Sequence, residues 1–182
     1  MTLLHIPAHT VHFPDMFEDE ATGITFSVEQ DSCPEDPRDE VEAEHACVFV
    51  FNAPRGNCDR EAPDNIAAQA FQRYFAEFDD AKSFELTKRY LAAFWPDEHF
   101  DLAMKTIRGY SQGDWMDVFA AIEPGYGTAE SHIDQYRMWA FGDVWTVVPD
   151  GDTDLDALSG IYADDPEDAV KHYINEYLPK AA

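Results

Sequence analysis

Runs of apolar residues predict the strands of this chain. Residues 23–29 alternate apolar and polar side chains with a period of two, which is the pattern of a half-buried strand. Residues 46–52 are almost continuously apolar and predict a central strand. Residues 101–110 and 114–122 predict a hairpin joined by a glycine-containing turn, and residues 141–148 predict another strand.

Apolar residues at helical spacing predict four helices. Asp64 or Asn65 can cap the first helix, and Pro96 ends the second. Pro166 stands in the first turn of the last helix, where a missing N–H costs nothing. The predicted helices cover residues 64–78, 80–95, 128–139 and a final segment that begins near residue 164.

The order of these elements indicates the fold class. Strands that are close in sequence are joined by turns, which favours antiparallel pairing. We therefore expect an α+β fold, with a mostly antiparallel sheet and three to four helices packed on one face. A chain of 182 residues suits a single domain, residues 1–182, in which residues 1–22 form an irregular N-terminal arm.

The net charge of the chain bears on its function. The chain has 37 acidic and 12 basic residues, a net charge of -25, yet 45% of its residues are hydrophobic and 14% aromatic. That apolar content excludes a disordered acidic chain, so the charge lies on the surface of a folded protein. Such a surface repels nucleic acids and anionic membranes and attracts proteins with a basic surface. We expect a basic-surfaced protein partner and no cofactor.

The acidic residues cluster at 15–20, 29–44 and 150–168. The densest run, residues 30–45, contains two prolines that prevent a helix and is long for a connection between strands. The acids predicted to bind a partner come from the first two clusters: Asp15, Glu18, Asp19, Glu20, Asp31, Glu35, Asp36, Asp39, Glu40, Glu42 and Glu44.

The run from Gly109 to Trp115 is the most distinctive short segment. One interpretation is a recognition loop that uses Tyr110, Gln112 and Trp115. The other, which the turn chemistry favours, is a hairpin turn whose aromatic side chains pack into the sheet.

Asp150, Asp152 and Asp154 match the first three ligand positions of a calcium-binding EF-hand loop. Leu155 stands where that loop needs glycine and Ile161 where it needs a bidentate glutamate, so two requirements fail. The segment is either a weak divalent-cation site of another kind or a solvated acidic loop.

No catalytic residue is predicted. The chain has no Gly-x-Ser-x-Gly turn, and Cys47, two residues from His45, lies in a core-like run. No pair of carboxylates can be singled out among 37 acidic residues. Three cysteines without a secretory signal argue against a disulfide framework, and no apolar run approaches the ~20 residues that span a bilayer. A cytoplasmic protein is expected.

Two segments resemble a recurring pattern in small uncharacterised proteins of bacteriophages and related mobile elements. The first is Gln30–Arg38 with the strand through Phe51 and the turn at residues 54–57. The second is Gly109–Trp115 with Tyr136 and residues 142–145. The resemblance implies a phage origin and action inside the cytoplasm of a bacterial host; it carries no activity.

Charge and resemblance together give three hypotheses. The first is a phage-encoded inhibitor of a host defence or DNA-handling protein, which mimics DNA by occupying a basic nucleic-acid-binding surface. The second is a phage accessory or assembly module that forms an oligomer and uses the aromatic surface around Tyr110, Trp115 and Tyr126. The third is a divalent-metal-binding enzyme.

Overall fold

Eight strands and four helices make up the described part of the chain. The computed structural model describes residues 2–6, 15–38, 45–51, 65–108, 115–151 and 154–178. The strands are β1 (Leu3–Ile6), β2 (Asp15–Asp19), β3 (Thr25–Gln30), β4 (Ala46–Phe51), β5 (Asp101–Arg108), β6 (Trp115–Ile122), β7 (Val144–Asp150) and β8 (Leu158–Tyr162). The helices are α1 (Ile66–Phe75), α2 (Asp80–Phe94), α3 (Ala129–Phe141) and α4 (Pro166–Tyr177). Every strand pairing is antiparallel, so the predicted α+β class is confirmed.

The chain divides into two compact units. The first unit comprises residues 1–35 and 141–182, and the second comprises residues 36–140. The first contains a five-stranded sheet in the order β1-β2-β3-β7-β8, and the second a three-stranded sheet in the order β4-β6-β5. The chain length predicts a single domain, and this stays a prediction.

In the first unit, α4 packs on one face of the five-stranded sheet. Alternate residues of β3 point to this face, so Phe26 and Val28 are buried against Val170 and Tyr173 of the helix. The helix begins where its sequence predicts: Asp165 accepts a hydrogen bond from the backbone N–H of Asp168 at 2.8 Å, and proline follows the cap.

In the second unit, helices cover both faces of the three-stranded sheet. Val48 and Val50 of β4 pack in one cluster with Ile133 of α3, while Phe49 and Phe51 pack in another with helices α1 and α2. The prediction that all helices lie on one face is therefore wrong. A strand that is apolar at consecutive positions must bury both of its faces, and only a helix on each face does that here.

The predicted irregular arm over residues 1–22 is also corrected, because it contains β1 and β2. Phe17 of β2 lies opposite Phe26 of β3 and is buried. Phe17 is the residue of β2 that joins the apolar core, and three of the five residues of the strand are acidic, so its sequence resembles a solvated segment. β8 was likewise missed, because it is short and follows an acidic loop.

The start of α1 agrees with its prediction. The side chain of Asn65 accepts hydrogen bonds from the backbone N–H groups of Ala67 and Ala68 at 2.9 and 3.3 Å. Over the described ranges, no helix combines the length and the apolar character needed to cross a bilayer.

Candidate functional site

The negative charge is unevenly divided between the two units. The first unit contains 17 of the 37 acidic residues but only two of the 12 basic ones, Lys171 and Lys180, a net charge of -15. The second unit contains the other 20 acidic and 10 basic residues, a net charge of -10 in a longer stretch of chain. The excess of acidic over basic residues is therefore larger in the first unit than in the second.

Asp19, one of the predicted partner-binding acids, has a structural role instead. Its side chain is only 2% exposed. It accepts hydrogen bonds from the hydroxyl and the backbone N–H of Thr22 at 2.8 and 3.2 Å, and from the N–H of Ala21 at 3.4 Å. Asp19 thus closes the turn between β2 and β3 and is not available to a partner.

The other three acids of the first cluster lie closer to solvent. Asp15 lies 3.3 Å from His5 Nε2, and Glu20 is exposed in the turn after β2. Strand register places Glu18 beside Thr25 and Thr25 beside Asp150, so Glu18 and Asp150 share the sheet face opposite α4. Sequence reasoning did not connect these two acids, which are far apart in the chain.

Two acids of the second cluster also fix loops. Asp31 accepts hydrogen bonds from the N–H of Cys33 at 3.0 Å and of Gly160 at 3.2 Å. Asp36 holds the guanidinium of Arg38, with Oδ2 to Nη2 at 2.6 Å. Of the remaining predicted acids, Glu35 is exposed. The last four lie outside the described residues: Asp39, Glu40, Glu42 and Glu44.

Acids of the third cluster flank β8; the sequence predicted some of them as a possible cation site but none as partner-binding residues. An acidic loop with Asp154 and Asp156 precedes the strand, and an acidic turn from Asp164 to Asp168 follows it. The five residues of β8 span about 17 Å, so negative charge stands at both ends of the strand. Lys171 of α4 contacts Glu167 at 3.0 Å and Asp168 at 2.7 Å, and these contacts raise the pKa of the lysine.

A subset of the acids of the first unit is exposed and has a side chain that makes no hydrogen bond or ion pair to any described residue. These carboxylates can meet a partner without breaking an internal contact. They are Glu20, Glu29, Glu35, Asp150, Asp154, Asp156 and Glu176.

The possible cation site is not assembled by the residues that can be described. Asp150 and Asp154 are exposed, and Asp152 lies outside the described residues. Within the described ranges, no three histidine, cysteine or carboxylate side chains form a group that could hold a metal ion.

The possible recognition loop is described only at its end. Trp115, the first residue of β6, is 55% exposed, whereas Tyr110 and Gln112 lie outside the described residues. Tyr126, the other aromatic residue of the assembly hypothesis, stacks on the ring of His45 with centroids 4.4 Å apart. His45 Nδ1 in turn lies 2.9 Å from Glu123 Oε2, so the position of Tyr126 is supported by its neighbours.

One pair of carboxylates was not predicted from the sequence. Asp80, at the start of α2, and Asp117, in β6, interact through a hydrogen bond, and the Thr106 hydroxyl donates to Asp117 at 2.6 Å. The two acids are far apart in the sequence, and no spacing rule joins them.

A comparison of the chain with protein family models, with curated proteins and with solved structures found no match.

Proposed function

We propose that this protein is an acidic interaction protein, encoded by a phage, that inhibits a host defence or DNA-handling protein in the host cytoplasm by occupying its basic nucleic-acid-binding surface. The observation that carries the proposal is the first unit, with a net charge of -15 and seven exposed acids whose side chains make no hydrogen bond or ion pair to a described residue. The phage origin rests on the sequence resemblance.

The physical basis of the proposal is competition between DNA and this protein for the same lysine and arginine side chains of the host protein. Duplex DNA carries about one negative charge per 1.7 Å of axis, and proteins bind it with rows of lysine and arginine. β8, about 17 Å long, lies between the acids that precede it and those that follow it, and this length is roughly half a turn of duplex. Exposed carboxylates without hydrogen bonds or ion pairs to described residues can meet a basic surface without breaking a described hydrogen bond, and opposite charge accelerates the encounter.

The first test uses the immobilised protein to capture host proteins from a lysate at low salt. Captured proteins are released with increasing salt and identified. Each one that binds DNA is then purified and tested for displacement of its labelled DNA by the acidic protein. We expect at least one DNA-binding protein whose DNA is displaced, with an inhibition constant that rises steeply with salt.

A matched pair of variants locates the surface. The site variant neutralises Glu29, Asp150, Asp154 and Glu176, and the control neutralises Glu85, Asp97, Glu98 and Glu130 of the second unit, so both lose four charges. We expect the site variant to associate on the order of ten-fold more slowly and the control to change little. Displacement that is insensitive to salt, or equal loss in both variants, contradicts the proposal.

A second candidate function is a phage assembly module, which the edge strand β1 favours. Leu4 and Ile6 of this strand are exposed on the sheet face opposite α4. An open edge with apolar side chains can pair with another strand. Sedimentation of the protein over a range of concentrations tests this function: a stable oligomer that Leu4→Lys dissociates supports it, and a monomer at all concentrations excludes it.

A further inference from the structure

Helices α1 and α2 carry four basic residues that have no acidic partner among the described residues. Arg73, Lys82, Lys88 and Arg89 are exposed, and no described acidic side chain lies within 4 Å of any of them. The two lysines instead lie over aromatic rings, Lys82 at 4.1 Å from the centroid of Phe78 and Lys88 at 4.3 Å from that of Phe84. In a chain with 37 acidic residues, four such cations on two adjacent helices are unexpected.

The same two helices expose a continuous aromatic cluster. Tyr90 is its centre, with ring centroids 4.8 Å from Phe94, 5.7 Å from Trp95 and 6.1 Å from Tyr74. Phe94 is 66% exposed, the largest exposure among the large hydrophobic side chains of the described residues. An exposed cluster of large apolar side chains is typical of an interaction surface.

A groove of about 310 Å³ joins the cluster to one of the cations. Arg73 is the single charged residue among the described residues of its lining, and no acid is present. The described residues of the lining are Ile66, Gln69, Ala70, Arg73, Tyr74, Tyr90 and Trp95. The groove therefore offers apolar walls, a guanidinium and two phenol hydroxyls.

We propose that this groove between α1 and α2 binds an acidic segment of a protein partner, with a large apolar side chain of the segment in the groove and a neighbouring carboxylate at Arg73. Arginine binds carboxylates through two parallel hydrogen bonds, and aromatic walls hold an apolar anchor. This surface belongs to the second unit and is proposed to bind an acidic partner, whereas the acidic surface of the first unit is proposed to bind a basic one.

Exposed residues around the groove distinguish a peptide from smaller or larger ligands. Phe94, which is not among the described residues of the lining, extends the apolar surface beyond the space that a small molecule would fill. A nucleic acid would bring many phosphates close to a chain with a net charge of -25, which costs more than one or two carboxylates do. A short acidic segment with an apolar anchor satisfies both constraints.

The test selects ligands from a displayed library of 12-residue peptides that contain no lysine, arginine or histidine. This composition prevents selection by the acidic surface of the first unit, so the result does not depend on the proposed function. We expect enriched peptides to combine aspartate or glutamate with a large apolar residue. Arg73→Glu should weaken their binding by more than ten-fold and Phe94→Ala by several-fold.

Matched controls are available on β5 and β6. Arg108→Glu makes the same charge change at another exposed arginine without a described acidic partner, and Trp115→Ala removes another exposed aromatic ring. Both controls should bind the selected peptides as the wild type does. All four positions are exposed, and circular dichroism verifies that each variant is folded.

Several results overturn the proposal. They are the absence of enriched peptides, enriched peptides without an acidic residue, and binding that Arg73→Glu and Arg108→Glu weaken equally. Concentration-dependent self-association that Arg73→Glu abolishes identifies a second copy of this chain as the occupant instead. Binding of a single-stranded oligonucleotide that depends on Arg73 identifies a nucleic acid.

Discussion

Asp80, in the first turn of α2, and Asp117, in β6, join their side-chain carboxyl groups by a hydrogen bond. Burial of Asp80 and, after it, the charge of Asp117 raise the pKa of Asp80 above its ordinary value. A hydrogen bond between two carboxyl groups requires a proton on one of them. The folded protein therefore binds a proton at this pair more readily than the unfolded chain does.

Asp117→Asn should stabilise the protein at neutral pH. Asparagine keeps an oxygen that can accept from the Thr106 hydroxyl, but it removes the like charge. The raised pKa of Asp80 stabilises the folded protein. This stabilisation is complete below pH 3.8, the pKa of Asp80 in the unfolded chain, and is lost as the pH rises through the pKa in the folded protein. The variant should therefore gain roughly 0.5 kcal/mol of unfolding free energy at pH 7 and nothing near pH 3.

Urea unfolding at the two pH values measures this gain. Asp97→Asn, which removes one exposed negative charge of the same unit, is the control for the overall reduction in charge. An equal gain in both variants, or a gain for Asp117→Asn that persists at pH 3, would show that the carboxylate pair does not carry the effect.

Ser83→Ala should raise stability. The Ser83 hydroxyl is buried in α2 and has no hydrogen-bond partner among the described residues, whereas alanine leaves no polar group there and has a higher helix propensity. We expect a gain of about 1 kcal/mol in thermal unfolding experiments. Thr87→Val provides the contrast, because the buried Thr87 hydroxyl donates to the Ser83 carbonyl at 2.8 Å and its loss should destabilise the helix.

Tyr173→Phe should destabilise the first unit. The buried Tyr173 hydroxyl donates to the carbonyl of Asp156 at 2.5 Å and so holds the acidic loop before β8 against α4. We expect a loss of about 1 kcal/mol, and faster amide exchange in residues 154–157. Tyr177→Phe, on the same helix but half-exposed, is the control and should have no such effect.

The same tyrosine gives a prediction at alkaline pH. Burial, and after it the charge of Asp156, raises the pKa of Tyr173 above its ordinary value of 10.0. The raised pKa of Tyr173 therefore stabilises the folded protein fully below pH 10, and this stabilisation is lost as the pH rises through the pKa in the folded protein. Unfolding free energies measured between pH 9 and pH 11 should decline less steeply for Tyr173→Phe than for the wild type; parallel curves would contradict this assignment.

Asp19→Ala and Glu20→Ala should differ sharply although the two residues are adjacent. Asp19 accepts three hydrogen bonds in the turn between β2 and β3, and alanine leaves those donors without their acceptor. We expect Asp19→Ala to cost about 2 kcal/mol in chemical denaturation and Glu20→Ala almost nothing. Similar small effects of both substitutions would mean that Asp19 is a surface acid after all.

The strong periodic patterns of the sequence predicted the elements correctly. The apolar run of β4, the hairpin of β5 and β6, and the caps of α1 and α4 all lie within a few residues of their predicted positions. β1 and β2 were missed because one is short and exposed and the other has three acidic residues among five. Such strands are specified by their pairing, of β1 with β2 and of β2 with β3, which a local pattern does not reveal.

The candidate site was harder to predict than the fold. A carboxylate that closes a turn, such as Asp19, and one that faces solvent, such as Glu20, have the same sequence signature. The pairing of Asp80 with Asp117, and the shared face of Glu18 and Asp150, arise from tertiary structure. Charge could be counted from the sequence, but its neutralisation depends on contacts between distant residues.

The pairing of β3 with β7 dictates an order of events during synthesis. Thr25 lies opposite Asp150, so the first unit needs both ends of the chain, whereas the second unit is a continuous segment. On the ribosome, β4 to α3 can fold as soon as they emerge, while β3 waits for β7. Closing so long a loop is slow, and during that interval an unpaired strand is exposed to aggregation. Asp15, Glu18 and Glu29 lie on β2 and β3, and acidic residues placed on exposed strands reduce their pairing with strands of neighbouring chains.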